Sequence, residues 1–151
     1  MIQGIQIKKI TTHADDRGFF REVVRTDESL LAAIKQVSVT VTYPGVIKAF
    51  HWHKRQDDFW YVIEGMVRVG LYDQRTDSPT HGEKNVFVIG EDNPIGILIP
   101  RGVVHGYQVL GVKPICLVYC TTECYDPKNP DEERMSWDDP AINFDWSIKN
   151  R

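Results

Sequence analysis

The sequence predicts an all-β protein, a double-stranded β-helix or jelly-roll barrel with one short N-terminal helix, on three observations. Hydrophobic residues recur mostly with period two, the interval at which a strand returns side chains to the same face. Turn-forming Gly, Pro, Asp and Asn punctuate the chain at short intervals. Only one segment carries helix signals, and about ten short strands against one helix fit a closed or double-sheet antiparallel architecture.

Taken in order, Ile5, Ile7 and, after a slip, Ile10 mark a first strand, and Phe19–Arg25 a second. Thr26 offers an N-cap and Asp27 and Glu28 an acidic first turn, so Ser29–Gln36 reads as the helix. Val37–Tyr43 is rich in β-branched residues, a strand signature. The run from Phe59 to Tyr72 places Ile63, Val67, Val69 and Leu71 on one face and Glu64, Met66, Arg68 and Tyr72 on the other. Asp73–Thr80 is a turn, after which Val86–Ile89, Ile95–Ile99, Tyr107–Leu110 and Ile115–Thr122 continue the strand series. From Tyr125 onward the chain is rich in proline and acid, so loops packed by Trp137, Phe144 and Trp146 are expected.

The 151 residues, 42% of them hydrophobic, suffice for one core and predict a single domain over 1–151. A net charge of −3 and a pI near 5.9 provide no basic footprint for nucleic acid. No run approaches the roughly 18–20 apolar residues of a membrane span, and Met1–Ile10 mixes Gln and Lys with isoleucine, unlike a signal peptide; a cytoplasmic protein is expected. Cys116, Cys120 and Cys124 lie four apart, about 13 Å along a strand and beyond the ~7 Å reach of a disulfide, so they read as reduced core thiols.

The chemistry concentrates in two motifs. Gly45, five residues, His51-x-His53, four residues, Asp58, six residues and Gly65 form the first; Pro100-x-Gly102-x-x-His105 forms the second. Both match the two half-motifs of cupin barrels, with Asp58 where glutamate is usual. In a strand His51 and His53 share a face, so both can meet His105 from a neighbouring strand at the barrel mouth. Such a set either holds a metal through imidazole and carboxylate or works without one, a histidine acting as Brønsted base on a carbon acid; hydrogen-bonded barrel-lining histidines are the plain alternative.

Four further blocks run in register along the chain: Asp16–Arg17–Gly18–Phe19–Phe20–Arg21–Glu22, Asp77–Ser78–Pro79–Thr80–His81–Gly82, Ile99–Pro100–Arg101–Gly102–Val103–Val104–His105–Gly106–Tyr107, and Trp137–Asp138–Asp139–Pro140–Ala141–Ile142 with Trp146. In order and spacing the chain resembles the dTDP-4-dehydrorhamnose 3,5-epimerase family over nearly its whole length. The resemblance implies a cupin-fold homodimer acting on a dTDP-sugar in rhamnose-type deoxysugar and surface polysaccharide biosynthesis, with no cofactor and no metal.

It also implies roles. His51 in Lys48–Ala49–Phe50–His51 matches the family's catalytic base, and Lys48 matches an arginine, keeping the charge but losing the planar fork. Tyr119, eight residues before Pro127, resembles the general acid. Arg17 would grip the diphosphate across the dimer interface, Phe20, Glu22 and Gln36 would line the thymine end, and His105 would contact substrate.

Three departures stand against this. Asp58 replaces a family lysine that stabilises the enolate. The aspartate that orients the base has no carboxylate counterpart, since the chain closes on Ser147–Ile148–Lys149–Asn150–Arg151 and only Asn150 could align. His53 replaces a glutamine and thereby creates the metal-ligand pattern. Two other readings stay open: a metal-dependent cupin isomerase or oxygenase using His51, His53, Asp58 and His105, and a non-catalytic sugar-nucleotide-binding cupin.

Overall fold

In the computed structural model of the chain, residues 1–148 are described. The strands are β1 (Gln6–Lys9), β2 (Thr12–Asp15), β3 (Gly18–Arg21), β4 (Gln36–Thr42), β5 (Ile47–Trp52), β6 (Asp58–Glu64), β7 (Met66–Asp73), β8 (Lys84–Gly90), β9 (Ile95–Ile99), β10 (Val103–Leu110), β11 (Ile115–Thr121) and β12 (Glu133–Arg134). Two five-stranded antiparallel sheets carry the fold, one in the order β1-β9-β6-β11-β4 and the other β12-β5-β10-β7-β8, with β2 and β3 as a separate hairpin. Among the described residues no helix is long and apolar enough to cross a membrane.

The core fills the space between the sheets. Trp60, Val62, Ile97, Ile99, Ile115 and Leu117 from the first sheet meet Val67, Val69, Leu71, Val103, Tyr107 and Val109 from the second, all inward at period two. Each sheet is covered outside by a smaller cluster. Leu31, with Leu30, Ile34, Val23 and Val24, packs on Phe59, Tyr61, Leu98 and Cys120 behind the first; Ile142 and Trp146, flanked by Phe144, pack on Phe50 and Val104 behind the second.

The predicted helix over Ser29–Gln36 is not formed. Thr26–Glu28 makes one 3-10 turn, Ser29 takes a left-handed conformation (φ 54°, ψ 21°), and the following residues run irregularly into β4. An eight-residue helix has little stability of its own, and Leu30, Leu31 and Ile34 bury their side chains on the outer sheet face without one. The run Phe59–Tyr72 is also two strands rather than one. Gly65 (φ 75°) turns the chain from one sheet into the other and resets the alternation, so Ile63 is exposed while Val67, Val69 and Leu71 are buried. The second predicted strand stops at Arg21. Of the tail aromatics Trp146 is buried, whereas Trp137 is 50% exposed and contributes its carbonyl to the Trp146 indole N–H at 3.0 Å. All three cysteines are free as expected, but Cys124 lies at the surface rather than in the core.

The predicted turn after β7 is organised by Asp73, whose side chain is 0% exposed. It accepts hydrogen bonds from Arg75 Nε at 2.8 Å, Ser78 Oγ at 2.6 Å and Thr80 Oγ1 at 2.7 Å. Burial alone pushes this carboxyl up, but the bonds from Arg75, Ser78 and Thr80 outweigh it and hold the group well below the usual carboxylate range. A folded value below the unfolded one means that the ionised group stabilises above the unfolded value of about 3.9, and that this stability is lost as pH falls through the folded value. Asp73→Asn keeps the size and removes the charge. We expect it to cost about 2–4 kcal/mol at neutral pH and to flatten the stability curve below about pH 4, both read from urea melts across pH; an acid limb identical to that of the wild type would refute the assignment.

Candidate active site

Neighbouring strands build the site through their register. In the antiparallel pairing of β10 with β5, His105 lies directly opposite His51. Gly106 permits the close approach, since a Cβ there would sit 2.3 Å from the Ala49 Cβ. Trp60, two residues after Asp58 and therefore on the same face of β6, packs edge-on against His105 at 5.1 Å between ring centroids. His51 and His105 are 4.2 Å apart, and His53 lies 5.5 Å from each.

Of these side chains His51, His53, Asp58 and Trp60 line a cavity of about 710 Å³. His51, Lys48, Gln36 and Tyr119 all line it. His105 does not; it is 2% exposed and lies behind His51. Arg17 and Phe20 lie elsewhere, on the exposed β2–β3 hairpin where Arg17 pairs with Asp15, and Glu22 just beyond it pairs with Arg25 at 3.6 Å. Asn150 lies outside the described residues. Trp60, Tyr107, Glu132 and Arg134 also line the cavity. Trp60 and Tyr107 were accessible by parity, each two residues along a strand from a predicted site residue, whereas Glu132 and Arg134 come from a tail with no periodic signal.

Asp131, from the same tail, secures the loop that carries His53. Its carboxylate accepts from the backbone N–H groups of Lys54, Arg55 and Gln56 at 3.0, 2.8 and 3.0 Å, and its carbonyl oxygen contacts His53 Nδ1. Val103 O pairs with His105 Nδ1 at 2.8 Å. Asp58 accepts from Gln56 Nε2 at 2.6 Å and from the Trp60 indole at 3.1 Å.

Burial, reinforced by His105 and His53, pushes His51 down to about 3 against the opposing pull of Asp58 and Glu132. His105 is likewise lowered to about 3 by burial first and His53 second. Both rings are therefore neutral at pH 7, and His51 presents a free base to the cavity.

The family model for dTDP-4-dehydrorhamnose 3,5-epimerase matches residues 1–151. The chain belongs to this family. It is 53% identical over 151 residues to the spore coat polysaccharide biosynthesis protein SpsL of Bacillus subtilis (strain 168), covering 100% of both chains. Among solved structures it resembles a dTDP sugar isomerase of Desulfovibrio desulfuricans G20, with 25% identity, a TM-score of 0.90 and 99% and 94% of the two chains covered. It also resembles a dTDP-6-deoxy-D-glucose-3,5-epimerase of Legionella pneumophila Philadelphia 1, solved in complex with dTDP-4-keto-L-rhamnose, with 26% identity, a TM-score of 0.86 and 99% and 82% covered. Membership accounts for the cupin-type double sheet and for an epimerase activity.

Proposed function

We propose that this epimerase inverts C3, C5 or both of a dTDP-4-keto-6-deoxyhexose in deoxysugar and surface polysaccharide biosynthesis, with His51 as base and Tyr119 as acid. The observation that carries this reading is their placement: His51 stands on β5 of one sheet and Tyr119 on β11 of the other, and both line the same cavity. Inversion needs a proton removed from one face of the sugar and another returned to the opposite face, and two facing sheets provide opposite walls.

In the first half-reaction a His51 ring nitrogen takes the proton beside the C4 ketone; the C–H bond breaks and its electron pair moves into the enolate, leaving charge on the C4 oxygen. In the second, the Tyr119 O–H protonates the carbon from the other side, and the phenolate and imidazolium re-equilibrate with solvent. Lys48, whose Nζ donates to Thr40 Oγ1 at 3.0 Å, brings positive charge to the cavity. Gln36 would meet the nucleotide at the rim. The deciding experiment is incubation with a dTDP-4-keto-6-deoxyhexose in D₂O: mass spectrometry should find deuterium at the carbons beside the ketone, and its absence would reject the reading.

The protein works, we infer, as a homodimer in the cytoplasm, a reducing compartment suited to three free cysteines. β4 is an edge strand whose alternation is inverted. Gln36, Thr40 and Thr42 turn inward, while Val37, Val39 and Val41 on the outer face, with Tyr43 beyond the strand, are 58–71% exposed. Such a stripe on a sheet edge calls for cover, and a second copy would also bring the hairpin with Arg17 and Phe20 toward a neighbouring cavity. Light scattering should find a dimer in the wild type and a folded monomer in Val39→Glu/Val41→Glu; a wild type that is monomeric at working concentration would overturn this.

A further inference from the structure

The buried end of the cavity has an electrostatic feature that the proposed chemistry leaves unused. Among the described residues lining the cavity only Lys48 and Arg134 are cationic, while His51, His53 and Asp58 in its wall cluster with the buried His105. One ligand atom from each of His51, His53, Asp58 and His105 lies within 4.8 Å of the others. His53 Nε2 is 3.7 Å from Asp58 Oδ1, and His105 Nε2 is 3.8 Å from Asp58 Oδ2. Ligand bonds of about 2.0–2.2 Å place adjacent donors roughly 3–3.6 Å apart, so these two imidazole–carboxylate pairs stand within a few tenths of an ångström of metal-bound spacing.

The histidines are not equivalent. His53 and His105 each have Nδ1 against a backbone carbonyl, of Asp131 and Val103 respectively. Nδ1 is thereby the protonated nitrogen and Nε2 presents its lone pair to Asp58, the arrangement that backs most metal-bound histidines. Gln56 agrees with that tautomer: its amide lies 3.3 Å from His53 Nε2 while donating to Asp58, and a bound ion would displace it. His105 Nε2 is buried with no hydrogen-bond partner at all. A lone pair orphaned in a protein interior costs free energy unless something fills the place it points to. Among the described residues His51, which lines the cavity together with His53, is the histidine with no hydrogen bond to either ring nitrogen, so nothing fixes its ring as a ligand.

We propose that His53, Asp58 and His105 form a binding site for one divalent first-row transition-metal ion, a two-imidazole, one-carboxylate set, with His51 left beside it as base. When bound, such an ion supplies Lewis-acid stabilisation for negative charge at a carbonyl oxygen. This role, unlike the site, rests on the epimerase reading. The chain's own residues do the rest: the Asp131 and Val103 carbonyls orient the two ligand rings, the Trp60 indole holds Asp58, and His51 remains free to take the proton.

The test uses the full-length protein stripped with chelator and then titrated with Co²⁺ alone. Calorimetry should give about one equivalent per chain, with visible d–d absorption marking nitrogen and oxygen ligation. His53→Ala and Asp58→Asn should weaken binding by at least about 100-fold, the upper end of what loss of a supporting group costs, whereas His51→Asn should retain both stoichiometry and spectrum. No uptake by the wild type, or undiminished uptake by His53→Ala, would overturn the site; loss of binding in His51→Asn would overturn the three-residue assignment. In the solvent-deuterium assay the stripped protein should exchange about 100-fold more slowly than the reloaded one. Equal rates would overturn the role and leave the epimerase reading intact, and no exchange in either state would reject that reading while the binding result stands by itself.

Discussion

His51→Ala is expected to lower solvent-deuterium incorporation beside the sugar ketone by about 10³-fold, within the range that a positioned general base contributes. The size follows from the surroundings. Of the cluster, His105 is buried away from the cavity lining, and Gln56 lies against His53 Nε2 while donating to Asp58, so no neighbour is placed to replace the lost imidazole. Affinity for dTDP should change little, because the nucleotide-binding candidates Gln36 and Arg17 are on β4 and on the hairpin. His51→Asn tests the same point with less loss of volume. Undiminished exchange in both variants would remove His51 from the mechanism.

How much of this was legible in the sequence depends on whether the signal was local. Strand alternation is local, so β4, β9 and β11 were found to within a residue at each end. The spacing of His51, His53, Asp58 and His105 is also nearly local, because strands with period two and short turns leave few ways to arrange them, and the four do converge. The failures are tertiary. Leu30, Leu31 and Ile34 have helical spacing, yet the outer sheet face buries them in an irregular path. Nothing along β4 says that its valines face outward and its polar residues line a cavity; that follows only from where β11 leaves its open edge. The motif could not tell that His51 and His53 reach the cavity and His105 does not, since the burial of His105 depends on the β10–β5 register. Asp131, Glu132 and Arg134 carry no pattern, and the tail finds its place only by folding back along β5.

Tyr119→Phe should separate the two half-reactions. The substitution keeps the ring and deletes one hydroxyl on a half-buried strand residue, so packing against the interior cluster is retained and stability should move by no more than about 1 kcal/mol. His51, on the opposite sheet, is untouched, so proton abstraction continues and deuterium still enters the sugar. What disappears is the donor on the other wall. The enolate is then reprotonated from the His51 side, which restores the original configuration, and the inverted product should fall by about 10²–10³-fold, the usual contribution of a general acid. Tyr107 is the nearest competitor for the role, but it is 3% exposed and its hydroxyl is engaged with Thr42 Oγ1 at 2.7 Å. Burial also pushes its phenol upward despite that bond, making it a weaker acid. Parallel measurement of deuterium content and product configuration on one sample gives the answer: high exchange with little inversion assigns Tyr119 as the acid, and full inversion by Tyr119→Phe would transfer the role to another group and reduce Tyr119 to a lining side chain.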